Sequence, residues 1–128
     1  MDRIAIVREA AARFDRGDDQ GFVACFAPAV KVYSEPELAD RPVVSSRTEL
    51  AASLEVARAR LAGGAVKLAE IEEHDDGIVA DLIVLPLRDG DAGAWRLALA
   101  VRFAGDAIAE IRPFWQRESA VGALRRFQ

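Results

Sequence analysis

Cysteine and histidine are almost missing from this chain: Cys25 and His74 stand alone among 128 residues. An internal disulfide is therefore excluded, nothing requires an oxidising compartment, and a zinc cage of Cys and His cannot be assembled. No basic excess exists either, since 17 Lys and Arg face 21 Asp and Glu for a net charge of −4. A field that would hold nucleic acid or an acidic lipid surface is lacking. No apolar run approaches the roughly 18 residues that a spanning helix needs. Asp2, Arg3 and Glu9 are the wrong flanks for a secretory leader. Phosphate-cradling glycine loops and a Gly-x-Ser-x-Gly elbow are missing as well. The expectation is a cytoplasmic protein with no cofactor, no metal, and neither nucleic acid nor membrane as partner.

What is present is the composition of an ordinary folded domain. Hydrophobic residues make up 52% and charged residues 30%, a balance that supports a core and excludes disorder. The length suits one domain over residues 1–128, able to bury roughly two-thirds of its unfolded surface.

Ile4, Val7, Ala11 and Phe14 recur at helical spacing, and Gly17 is placed to end that helix in a left-handed conformation. Asp18 can cap a second helix carrying Phe22, Cys25 and Phe26, with Pro28 as its stop. A short β-rich run over 30–34 ends at Pro36, and 37–45 has the composition of a loop. Ser46 and Glu49 form a capping box that opens a third helix with Leu50, Leu54, Ala57 and Leu61 on one face. The period then changes. Segments 66–73, 77–87, 94–103 and 107–115 read as strands joined by Gly- and Asp-containing turns. In the third of these, Trp95, Leu97, Leu99, Val101 and Phe103 alternate with small or charged residues. A terminal helix is expected over 119–127. Helices followed by hairpin-connected strands give an α+β domain with helices packed on one face of a sheet.

Four stretches carry a resemblance to a known family. They are Phe14-Asp15-Arg16-Gly17-Asp18 running on through Phe22 to Pro28; Val32-Tyr33-Ser34-Glu35-Pro36; Ser46-Arg47-Thr48-Glu49-Leu50; and Val101-Arg102-Phe103 with Gly105-Asp106, then Ile111-Arg112-Pro113-Phe114-Trp115. In this order the chain resembles the nuclear-transport-factor-2-like superfamily, in its ketosteroid-isomerase and SnoaL-like branch. The resemblance implies a cystatin-like α+β roll: a cone-shaped, curved mixed β-sheet wrapped around three helices of the N-terminal half, enclosing an apolar pocket, commonly as a homodimer. It does not fix a reaction, since one such fold hosts many functions.

Glu35 matches the position of the general-base carboxylate of ketosteroid isomerases, although those enzymes carry Asp there. A carboxylate at the mouth of an apolar cavity is poorly solvated, which raises its pKa and makes it a usable base. The isomerases also use a tyrosine and a protonated aspartic acid as oxyanion donors. Those positions fall on Ala10 and Leu99, neither of which can donate. Each lost donor typically costs about 10²–10³ in rate, so efficient ketosteroid isomerisation is not expected.

Asp81 interrupts an apolar strand. It is either a second pocket acid beside Glu35 or, on the outer face, the partner of an arginine such as Arg96 or Arg102. Tyr33 either donates into the pocket or packs with its hydroxyl at the rim. His74 lies in a turn, and Cys25 reads as a small buried hydrophobe. The expected ligand-binding wall comprises Phe14, Phe26, Leu97, Leu99, Val101 and Trp115. A homodimer is expected through the outer sheet face, with Ala98, Ala100, Arg102, Ile108, Glu110, Arg112 and Phe114. The functional expectation is a small, largely apolar ligand, with isomerase, hydratase or cyclase chemistry through Glu35, Asp81 and Tyr33. A non-catalytic carrier or sensor, and a dimeric interaction module with a vestigial pocket, are the alternatives.

Overall fold

Asp2 opens the first helix in the structure, a computed structural model that describes residues 2–33, 44–61, 65–85 and 95–126. Its carboxylate accepts the Ala5 amide at 2.7 Å, satisfying one of the free N–H groups of the first turn. Helix α1 (Arg3–Asp15) buries Ile6, Val7 and Ala10. Gly17 follows at φ +76, and the amides of Gly17 and Asp18 return to the carbonyls of Phe14 and Arg13. This paired closure needs a residue that tolerates the left-handed region, and glycine does so without penalty. Asp18 then caps α2 (Asp19–Ala24) by accepting the Gly21 amide at 3.0 Å.

Strand β1 (Phe26–Val32) begins almost at once. Pro28, expected to stop the second helix, stands exposed inside β1 instead. β1 is an edge strand, where a missing N–H removes no necessary ladder bond. Val44 bridges back to Val32, and the capping box then starts α3 (Arg47–Leu61). Ser46 Oγ accepts the Glu49 amide at 3.1 Å, while Glu49 Oε1 accepts the amide of Ser45 rather than that of Ser46.

The remaining strands are β2 (Ala65–His74), β3 (Gly77–Leu85), β4 (Trp95–Ala104) and β5 (Ala107–Phe114), followed by α4 (Arg117–Arg126). The sheet runs β1-β5-β4-β3-β2, with β1 parallel to β5 and every other pair antiparallel. Gly77, at φ +154, starts β3 so close to β4 that a Cβ would strike the Val101 carbonyl oxygen. The five strands form a curved, unclosed sheet.

Two apolar layers flank it. On one face Ile6, Val7 and Ala10 of α1 and Leu50 of α3 pack with Phe26, Val30, Ile78, Ala80, Val101 and Ile108. On the other, Ala120, Ala123 and Leu124 of α4 pack on Val79, Ala98, Ala100 and Phe114. This second layer places α4 over Ala98, Ala100 and Phe114, three of the residues expected to meet a second copy. Its small residues do admit a close neighbour, but that neighbour is α4 of the same chain. Ile108 is a correction. Phe103 pairs with Ile108 while Arg102 pairs with Glu110, so Ala109 is an extra residue. Such a bulge shifts the alternation by one, and Ile108 turns to the helix side with 2% exposure.

Candidate functional site

Between the three N-terminal helices and the concave sheet lies a cavity of about 350 Å³. Helix α1 contributes Val7, Ala10, Ala11 and Phe14; α3 contributes Leu50, Ser53 and Leu54; Phe22 and Phe26 close the α2 side. The sheet supplies side chains from all five strands, among them Val32, Leu68, Ala80, Leu99 and Ile111. Phe22 links the aromatic corner, with its centroid 5.5 Å from Phe14 and 4.9 Å from Phe26 in edge-on and tilted arrangements. Among the described residues, every lining side chain except Ser53 is hydrocarbon. A wall of this kind favours a ligand that gains by leaving water.

Of the expected wall, Phe14, Phe26, Leu99 and Val101 line the cavity. Leu97 shares their side of β4 without reaching the lining. Trp115 is a correction: it is 58% exposed. β5 ends at Phe114 and the chain bends over 115–116 into α4, so Trp115 leaves the sheet before its alternation can aim it inward. Ala10 and Leu99, which occupy the two oxyanion-donor positions under the resemblance, both lie on the cavity wall.

Asp81 is on the opposite face, in register with Ala98. Its Oδ2 accepts from Arg117 Nη2 at 3.0 Å, and the same guanidinium also meets Glu72 and, at 3.2 Å, Glu70. The Asp81 hydrogen bond is the main cause that pushes Arg117 above its ordinary pKa. The arginine partner is thus on α4, not Arg96 or Arg102. Arg102 instead donates to the carbonyls of Ala123 and Leu124 at 2.9 and 2.7 Å, capping the C-terminal end of α4 with positive charge.

Tyr33 is buried on the outer face as well, with the Arg112 guanidinium 3.8 Å from its ring centroid. Burial of this aromatic is satisfied by cation–π stacking, and the ring is not part of the cavity lining. His74 Nε2 lies 3.1 Å from Glu72 Oε1 without the alignment of a hydrogen bond. Cys25 is half-buried beside Arg13, and burial pushes its thiol pKa up. Glu35 lies outside the described residues.

Sequence reasoning missed most of the lining, including Phe22, Leu50 and Ser53 of the helices and Val32 and Ile108 of the sheet. Ser53 was within reach, because it lies three residues after Leu50 on the apolar stripe of α3. Ile108 was not, because nothing in the spacing announces the bulge at Ala109.

No family model and no curated protein matches the chain. Solved structures do. A cystatin-fold protein from Novosphingobium aromaticivorans superposes with a TM-score of 0.75 at 14% identity, over 89% of this chain and 98% of its own. AclR from Streptomyces galilaeus, proposed as a hydroxylase, gives 0.68 at 19% identity over 98% and 97%. A protein from Sinorhizobium meliloti proposed as a polyketide cyclase gives 0.70 at 15% identity over 85% and 93%. At these identities the likeness is one of fold. The fold is the cystatin-like α+β roll that the resemblance to the nuclear-transport-factor-2-like superfamily implies.

Proposed function

We propose that this chain binds a small, largely apolar molecule in the cavity between α1, α2, α3 and the sheet, and acts on it through Glu35 as general base. The observation that carries the reading is the cavity itself: about 350 Å³ of space whose described wall is almost entirely hydrocarbon, within the size range of ligand sites. Chemistry of the isomerase, hydratase or cyclase type is the finer part of the proposal. The proteins proposed as polyketide cyclases and a hydroxylase that share the fold support that choice of class by analogy only. Efficient ketosteroid isomerisation is not part of it, because Ala10 and Leu99 offer no proton to an oxyanion.

A non-catalytic carrier is the second reading. It is favoured by a specific observation: Asp81 and Tyr33 are engaged on the far face of the sheet, and no titratable side chain lines the cavity among the described residues. A homodimer through the part of the outer face that α4 leaves free also belongs to the proposal.

Proton–deuterium exchange at the α-carbon of small cyclic ketones that also carry a ring hydroxyl separates the two. The expected outcome is exchange accelerated by the protein, and lost in Glu35→Gln while ketone binding persists. Binding without exchange in the wild type would leave the carrier. No binding of any apolar ring compound would overturn both.

A further inference from the structure

Ser53 is the one polar side chain on the described cavity wall, and its proton is already committed. Its Oγ donates to the Leu50 carbonyl oxygen at 2.7 Å. A hydroxyl has a single donor and two acceptor lone pairs, so what Ser53 has left to offer is acceptance. We infer that the cavity selects ligands in which an apolar ring carries one hydroxyl, with Ser53 Oγ accepting that hydroxyl's proton. This rests on the reading of the cavity as a ligand site and adds a direction to its polar contact.

The chemistry discriminates between oxygen types. A phenol or alicyclic alcohol brings the proton that Ser53 lacks. A ketone or ether brings only lone pairs, and would have to draw the Ser53 proton away from Leu50. In a wall of hydrocarbon the unmatched oxygen would lose its water without replacement. The three phenylalanines on the same wall, Phe14, Phe22 and Phe26, favour an aromatic ring as the hydrocarbon part, through edge and tilted contacts.

Isothermal titration with 1-naphthol, 1-methoxynaphthalene and naphthalene tests this on the wild type and on Ser53→Ala. Alanine is the better helix former, and circular dichroism checks that α3 is kept. The wild type should bind 1-naphthol about 5–10-fold more tightly than 1-methoxynaphthalene, the usual worth of one hydrogen bond. In Ser53→Ala the ratio should fall to within about 2-fold, with naphthalene bound no more weakly than by the wild type. Naphthalene binding with no preference for 1-naphthol in the wild type would overturn the inference and leave the cavity reading intact. Survival of the preference in Ser53→Ala would overturn it equally. If none of the three compounds binds, the cavity reading falls, and the role of Ser53 falls with it.

Discussion

Arg117 holds three carboxylates at one guanidinium: Asp81 from β3, and Glu70 and Glu72 from β2. Isolated surface pairs contribute little, but here the Arg117 side chain is 28% and that of Asp81 21% exposed, so screening is incomplete. Removing the arginine also leaves three like charges facing one another. Arg117→Ala should therefore lower stability by about 1 kcal/mol at low salt, and less at high salt. Urea unfolding at two ionic strengths measures this, and an equal loss at both would show that packing rather than charge is involved. A paired Asp81 on the outer face was one of two readings the sequence offered, because a carboxylate inside an apolar strand is costly when unpaired, and the pairing with Arg117 decides against the pocket-acid reading. Which arginine it takes was not legible, since Arg117 reaches it only once α4 has folded back over the sheet. Tyr33 is a similar case: its hydroxyl suggested a pocket donor, while its ring is occupied by Arg112.

At the scale of elements, α4 covers the part of the outer face formed by Val79, Ala98, Ala100 and Phe114. Leu124, 1% exposed, is its central contact, flanked by Ala120 and Ala123 over Ala98 and Ala100. Arg117 ties one end to the sheet, and Arg102 ties the other through the carbonyls of Ala123 and Leu124. Leu124→Ala should cost about 2–5 kcal/mol, the range for emptying a fully packed leucine site. Thermal or urea melts check it, and a loss under about 1 kcal/mol would mean that α4 is only loosely seated. The alternation of Leu97, Leu99 and Val101 against Ala98 and Ala100 made the two faces of β4 readable, and small residues correctly announced a close neighbour. Their covering helix was legible as an element but not as the occupant of that face. The bulge at Ala109 reversed Ile108 for a local reason that a period-2 pattern cannot carry. The caps at Gly17, Asp18 and Ser46 were readable in the sequence, because a cap is a contact within three or four positions, whereas Asp2 was not read as a cap and Pro28 lies inside β1 rather than stopping α2.

For the whole molecule, the order of elements was the most legible feature. With α1, α2 and α3 ahead of the antiparallel strands β2 to β5, and the edge strand β1 between α2 and α3, the sheet buries one face against those helices. Where curvature exceeds what the side chains fill, a cavity follows, and its wall takes the composition of the core around it. The central claim is that this cavity admits a ligand rather than marking a gap in packing. Methyl-resolved NMR of the protein titrated with naphthalene tests it most directly. The account predicts saturable shifts of one-to-one stoichiometry at Ala10, Leu54, Ala80 and Leu99, whose side chains face the cavity. Val56 and Ala123, which do not line it, should stay in place. No shift at the four cavity methyls up to the solubility of naphthalene, or shifts confined to exposed sites such as Val56, would contradict it.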